Sequence, residues 1–181
     1  MSSKLSIKRP ERVVSLCLDA SLQAEWEKAE ADLVTARAKP SQSMTGNADL
    51  PRLAQAVTDL EAAMLAEVVL FRMRAVPRSQ WSASIAAHPP KDGDAEDAQF
   101  GADRGAFFDE IIPSSIVAVT RDGEPIEFDP ESDWSDLADE MTDWQFSQFA
   151  EAVFILNRGA VSVPFSRAAS RVIQGSSETS R

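Results

Sequence analysis

Val68-Val69-Leu70-Phe71-Arg72-Met73-Arg74 is the stretch on which the fold turns. Its alternation places Val69, Phe71 and Met73 on one face and Arg72 and Arg74 on the other, the period-two pattern of a strand with one covered face. Upstream, Val13, Val14, Leu16, Cys17 and Leu18 form a second short β-branched and aliphatic run, read as a strand over residues 12–18. Two apolar seams in steps of three and four lie between them. The first is Leu22, Trp26, Ala29, Leu33 and Ala36; the second is Leu50, Leu53, Val57, Leu60 and Met64, after a polar segment from Pro40 to Asp49. Seams of similar length across a short connection predict an antiparallel helical hairpin over about residues 20–65. A hairpin goes out and returns, so it brings the two strands together as an antiparallel ribbon.

Downstream, Pro77 opens a helix containing Trp81, Ile85 and Ala86 that halts before Pro89-Pro90. Residues 91–104, with Asp92, Asp94, Glu96 and Asp97, predict an exposed acidic loop. Phe107, Phe108, Ile111 and Ile112 predict a buried helix, kinked or restarted at Pro113. Val117 to Phe128 is read as an irregular link in preference to a hairpin about Asp122-Gly123. A helix with Trp134, Leu137 and Ala138 follows. Thr142-Asp143-Trp144-Gln145 then has the form of a capping box and opens a helix with Phe146, Phe149, Ala150, Val153 and Phe154 at helical spacing, stopped at Asn157-Arg158-Gly159. The predicted class is α+β, mainly helical: a two-stranded antiparallel ribbon with an inserted helical hairpin, followed by a C-terminal group of helices over about residues 77–158. One domain is expected over residues 11–172, flanked by flexible segments 1–10 and 173–181, with a last apolar cluster at Val161, Val163 and Phe165.

The chain has 181 residues, of which 44% are hydrophobic, enough for a core without disulfides or metals. Its net charge of -11 opposes binding to nucleic acid or to an anionic membrane, and no apolar run reaches the roughly 18 residues of a membrane span. The single cysteine, Cys17, sits among aliphatic neighbours, reads as a small core residue and implies a reducing, cytosolic setting. One histidine, His88, stands before two prolines and reads as a helix-end residue, so no nucleophile-base-acid set presents itself. The acidic loop lacks the glycine and the bidentate Glu of a calcium loop, the ligands of a zinc site are missing, and no glycine-rich phosphate loop occurs. No cofactor, no metal and no catalytic residue is expected. Arg72, Arg74 and Arg78 beside Phe71 and Trp81 form a basic cluster that balances local acids or meets an acidic partner. The residues alone thus describe a non-enzymatic, acidic, protein-binding chain.

Three segments go further. Arg12-Val-Val-Ser-Leu-Cys-Leu-Asp19 runs into the acidic helix; Leu70-Phe-Arg-Met-Arg-Ala-Val-Pro-Arg-Ser-Gln-Trp81 continues to His88-Pro-Pro90; and Asn157-Arg-Gly159 precedes Val163-Pro-Phe-Ser-Arg167. Together, in order and spacing, they resemble the tail assembly chaperones of actinobacterial siphophages and prophages, over about residues 12–171. Pro113 and the stretch 121–133 depart from that pattern. The resemblance implies a non-enzymatic protein of the host cytoplasm, absent from the mature virion. It would coat the tape-measure protein by helix-in-groove contact and keep it soluble until major tail protein polymerises around it. The family often also makes a longer, frameshifted product, and self-association is a further expectation. The candidate partner-binding residues are Phe71, Arg72, Arg74 and Trp81 on the ribbon and its following helix, and Trp144 and Phe149 on the apolar face of residues 143–156. Two other readings stand beside this one: a structural phage subunit such as a head-tail connector or tail-terminator component, and an acidic regulator of a basic host surface.

Overall fold

The computed structural model of the chain describes residues 6–38 and 49–159. The polar connection after Ala38, the Val161 to Phe165 cluster and the C-terminal segment expected to be flexible therefore lie wholly or mostly outside the described residues, as does the first half of segment 1–10. Strand β1 (Glu11–Cys17) leads into α1 (Ser21–Ala38) and α2 (Leu50–Ala66), and β2 (Val68–Arg74) returns antiparallel to β1 in the register Glu11↔Arg74 through Cys17↔Val68. The helical hairpin inserted between paired strands is thus as predicted. Asp19 starts α1 by accepting hydrogen bonds from the Ser21 amide and hydroxyl. Helices α1 and α2 pack on each other, with Trp26 Nε1 donating to Glu61 Oε1 across the pair at 3.3 Å, and neither packs extensively on the rest of the chain. Val57 is the one buried side chain the two helices contribute among the described residues.

The remaining helices are α3 (Arg78–Ala87), α4 (Ala95–Phe100), α5 (Arg104–Ser115), α6 (Pro130–Asp139) and α7 (Asp143–Arg158), with β3 (Ile116–Arg121) and β4 (Glu124–Pro125) between α5 and α6. Among the described residues the sheet is four-stranded in the order β1-β2-β3-β4, which corrects the two-stranded ribbon. The stretch read as an irregular link is a hairpin because Asp122 and Gly123 both take positive φ (52° and 84°), the geometry a two-residue turn between twisted strands requires. A bulge opposite Arg72 and Met73 leaves Val117 exposed. Pro113 neither breaks nor restarts α5, since it lies in the last turn, which ends at Ser115.

One face of the sheet, with Val14, Leu16, Val69, Phe71, Met73 and Val119, is buried in the core together with Phe149, Ala152, Val153 and Leu156 of α7. Phe149 is 0% exposed, its ring edge-on to Phe71 at 5.2 Å and to Trp134 of α6 at 5.0 Å. Trp81 of α3 meets Phe107 of α5 edge-on at 4.8 Å, extending the same core. The capping box of α7 forms as predicted: Gln145 N–H donates to Thr142 Oγ1, and Thr142 N–H donates to Gln145 Oε1 at 2.9 Å. Such caps contribute about 1 kcal/mol.

The acidic stretch 91–104 is not an open loop. Asp94 accepts from the amides of Glu96 and Asp97 and so starts α4, which Gly101 ends at φ 92°. Asp97 is buried, and its Oδ1 accepts from the Arg104 amide at 3.1 Å while Oδ2 accepts from the Lys91 amide at 3.4 Å. Asp103 caps α5, and its carboxylate meets Lys91 Nζ at 3.0 Å. These contacts hold Asp103 below the usual carboxylate range, first through the Lys91 hydrogen bond, and Asp94 likewise, first through the Asp97 amide. Both acids therefore stabilise the folded chain above the unfolded carboxylate pKa, and that contribution is lost as pH falls through their lower folded values. Asp109 runs the other way: burial, then the charges of Asp139 and Asp103, raise its pKa, so acidification relieves it. Asp97→Ala leaves two amides without their acceptor and is expected to cost about 1–3 kcal/mol in urea unfolding; a loss under about 0.5 kcal/mol would show that the carboxylate does not organise the segment.

Candidate partner-binding surface

The structure divides the six candidate residues. Phe71, Trp81 and Phe149 are core side chains, which corrects their assignment to a partner surface: each is enclosed by the sheet-helix packing and cannot meet another chain without unfolding. The apolar face of residues 143–156 is for the same reason largely turned inward. Arg72 and Arg74 do reach solvent, on the sheet face opposite α7. There Glu11, directly across from Arg74 in the register, accepts from Arg74 Nη2 at 2.6 Å and lies 3.9 Å from Arg72 Nε. Arg72 and Arg74 thus balance a local acid, one of the two roles expected of the cluster, and have less charge to offer an acidic partner.

Trp144 is different. It is 74% exposed on the first turn of α7, an area of indole that core packing does not explain. It stands on the wall of an open groove of about 490 Å³, bounded by Ser15, Leu16 and Cys17 of β1, by Asp19, Ala20 and Gln23 at the start of α1, and by Gln145 and Gln148 of α7. Cys17, Gln23, Met64 and Val68 also line an adjoining apolar hollow with Trp26, Glu61 and Leu65, so the two form one surface across the hairpin base. Leu65 is 67% exposed there. Cys17 is half-buried, with its thiol directed at the carbonyls of Asp19 and Met64, so it borders the groove and is not the enclosed core residue expected.

Among the described residues the lining carries two acids, Asp19 and Glu61, and no Lys or Arg. The Ser21 hydroxyl and then its amide hold Asp19 below the usual carboxylate range, so it is charged at neutral pH. The surface is thus apolar with an anionic rim. It is shallow and open, which suits a polypeptide segment better than a small molecule. Its members Leu65, Met64 and Val68 were missed in the sequence because Met64 and Val68 belong to patterns that usually face inward. Leu65 alone carried a signal, as an apolar residue one step off the α2 seam.

His88 caps the end of α3 and its Nε2 lies 2.6 Å from Glu110 Oε2, the helix-end position expected of it. Among the described residues no group of three or more His, Cys, Asp or Glu side chains could hold a metal ion, and no helix is long and apolar enough to cross a membrane. Compared with protein-family models, with curated proteins and with solved structures, the chain finds no match.

Proposed function

We propose that the chain is a non-enzymatic assembly factor that shelters apolar segments of another protein. Within that class, the resemblance of residues 12–19, 70–90 and 157–167 points to a phage tail assembly chaperone, which holds the tape-measure protein soluble in the host cytoplasm while the tail is built. The observation that carries the reading is the groove beside Trp144, open among the described residues, on a chain with net charge -11. The apolar lining offers a partner the contact it would otherwise find in an aggregate, and the charge keeps the complex soluble.

Apolar capture and ionic capture separate by salt. At 1 M salt the Debye length is about 3 Å, so a complex held through the groove persists there, whereas an acidic regulator on a basic host surface dissociates. Size exclusion of the chain with the tape-measure protein at low and high salt reads this directly. Purified particles provide the second control: a chaperone is absent from them, and a head-tail connector or tail-terminator subunit is present in stoichiometric amount.

A further inference from the structure

The two edges of the sheet are built differently. β4 is two residues long and ends in Pro125, a residue that cannot donate to a further strand, so that edge is closed to pairing. β1 is seven residues long, pairs with β2 without a bulge, and contains neither lysine nor proline. Among the described residues no strand neighbours its outer side. The Leu18 amide donates to the Glu67 carbonyl and the Ala75 amide donates to the Pro10 carbonyl, each at 3.0 Å. Bonded and non-bonded positions alternate along an antiparallel pair, so the even-numbered residues of β1 are the ones bonded to β2. The amides and carbonyls of Val13, Ser15 and Cys17 therefore point outward. Val13 and Ser15 are exposed, and Ser15 and Cys17 border the groove under Trp144.

We infer that β1 is a docking edge for an extended segment of the protein partner, which adds as a fifth strand along Val13–Cys17 and lays apolar side chains into the groove between Trp144 and the hairpin base. The inference rests on the reading above that the chain captures a protein, and it specifies the contact as a strand and not a helix. The anionic rim defines the occupant further. With Asp19 and Glu61 on the lining at the hairpin base and no cation there among the described residues, the segment is apolar along β1 and carries Lys or Arg at the end that meets the hairpin base. Arg12, the one cation of β1, is not part of that lining. Main-chain bonds to the edge are indifferent to side-chain identity, which suits a protein that must hold many places on a long partner, while the groove and its acids select apolar segments with one basic flank.

Ser15→Pro tests the edge. Its amide points away from β2, so proline there removes an outward donor and blocks pairing while leaving the β1-β2 ladder intact. The variant is expected to keep its melting temperature within a few degrees and to bind the tape-measure protein at least tenfold more weakly. Hydrogen exchange on the unaltered chain gives a reading that does not depend on the variant folding. In the free chain the amides of Val13, Ser15 and Cys17 should exchange fast and those of Val14 and Leu16 slowly, and the odd-numbered set should slow by tenfold or more in the complex. Capture by Ser15→Pro at full strength, or odd-numbered amides still fast in the complex, overturns the docking edge and leaves the chaperone reading standing. Odd-numbered amides already slow in a free chain of dimeric mass would assign the edge to a second copy and overturn it too. No capture by the unaltered chain removes both.

Discussion

Phe149→Ala should cost about 3–5 kcal/mol of folding stability, the range for deleting a fully enclosed phenyl ring. The ring is 0% exposed and touches both the sheet, through Phe71, and α6, through Trp134, so its loss opens a cavity where three elements meet. Typical domain stabilities are only about 5–15 kcal/mol, so the variant should melt many degrees lower or fail to accumulate. Phe146→Ala, one turn earlier and only partly buried, is the comparison and should cost clearly less. Equal effects at the two positions would mean that α7 does not pack on the sheet through Phe149.

Trp144→Ala should do the opposite. The side chain is 74% exposed, so unfolding free energy should change by no more than about 0.5 kcal/mol. If the groove is where a partner docks, the indole is its largest apolar anchor, and truncation should weaken capture at least tenfold, about 1.4 kcal/mol. Leu65→Ser, on the far side of the same surface, should act in the same direction. Binding of the tape-measure protein unchanged by both substitutions would move the contact elsewhere on the molecule.

These two residues also show how far the sequence could be read. Periodicity located β1, β2, the inserted hairpin and α7, because each has a run long enough for its spacing to speak and a clear cap or turn at its ends. It also placed Arg72 and Arg74 on the wet face of β2, where Glu11 now meets them. The same patterns identify apolar faces without saying whether another element of the chain covers them, and so Phe71, Trp81 and Phe149 were grouped with Trp144. Helical geometry separates them: Trp144 stands about 140° around α7 from Phe149, off the stripe that packs on the sheet. The third and fourth strands are hard to read because β4 has only two residues, too few for an alternation to show, although Asp-Gly with paired positive φ is a strong local hairpin signal. The short α4 was hidden because six residues are too few for a periodicity, and its stability comes from Asp94 and Asp97 bonding to backbone amides. The groove was the least legible feature. It exists only where β1, the hairpin base and α7 converge, and these are far apart in the chain.

The most direct test of the chaperone proposal is co-expression with the tape-measure protein, comparing its soluble fraction with this chain, with Trp144→Ala and with no partner. The account predicts that the unaltered chain keeps the tape-measure protein soluble in a complex that stays together in high salt, and that Trp144→Ala loses most of that protection while remaining folded. A tape-measure protein that precipitates equally in all three, with this chain eluting alone, would contradict it.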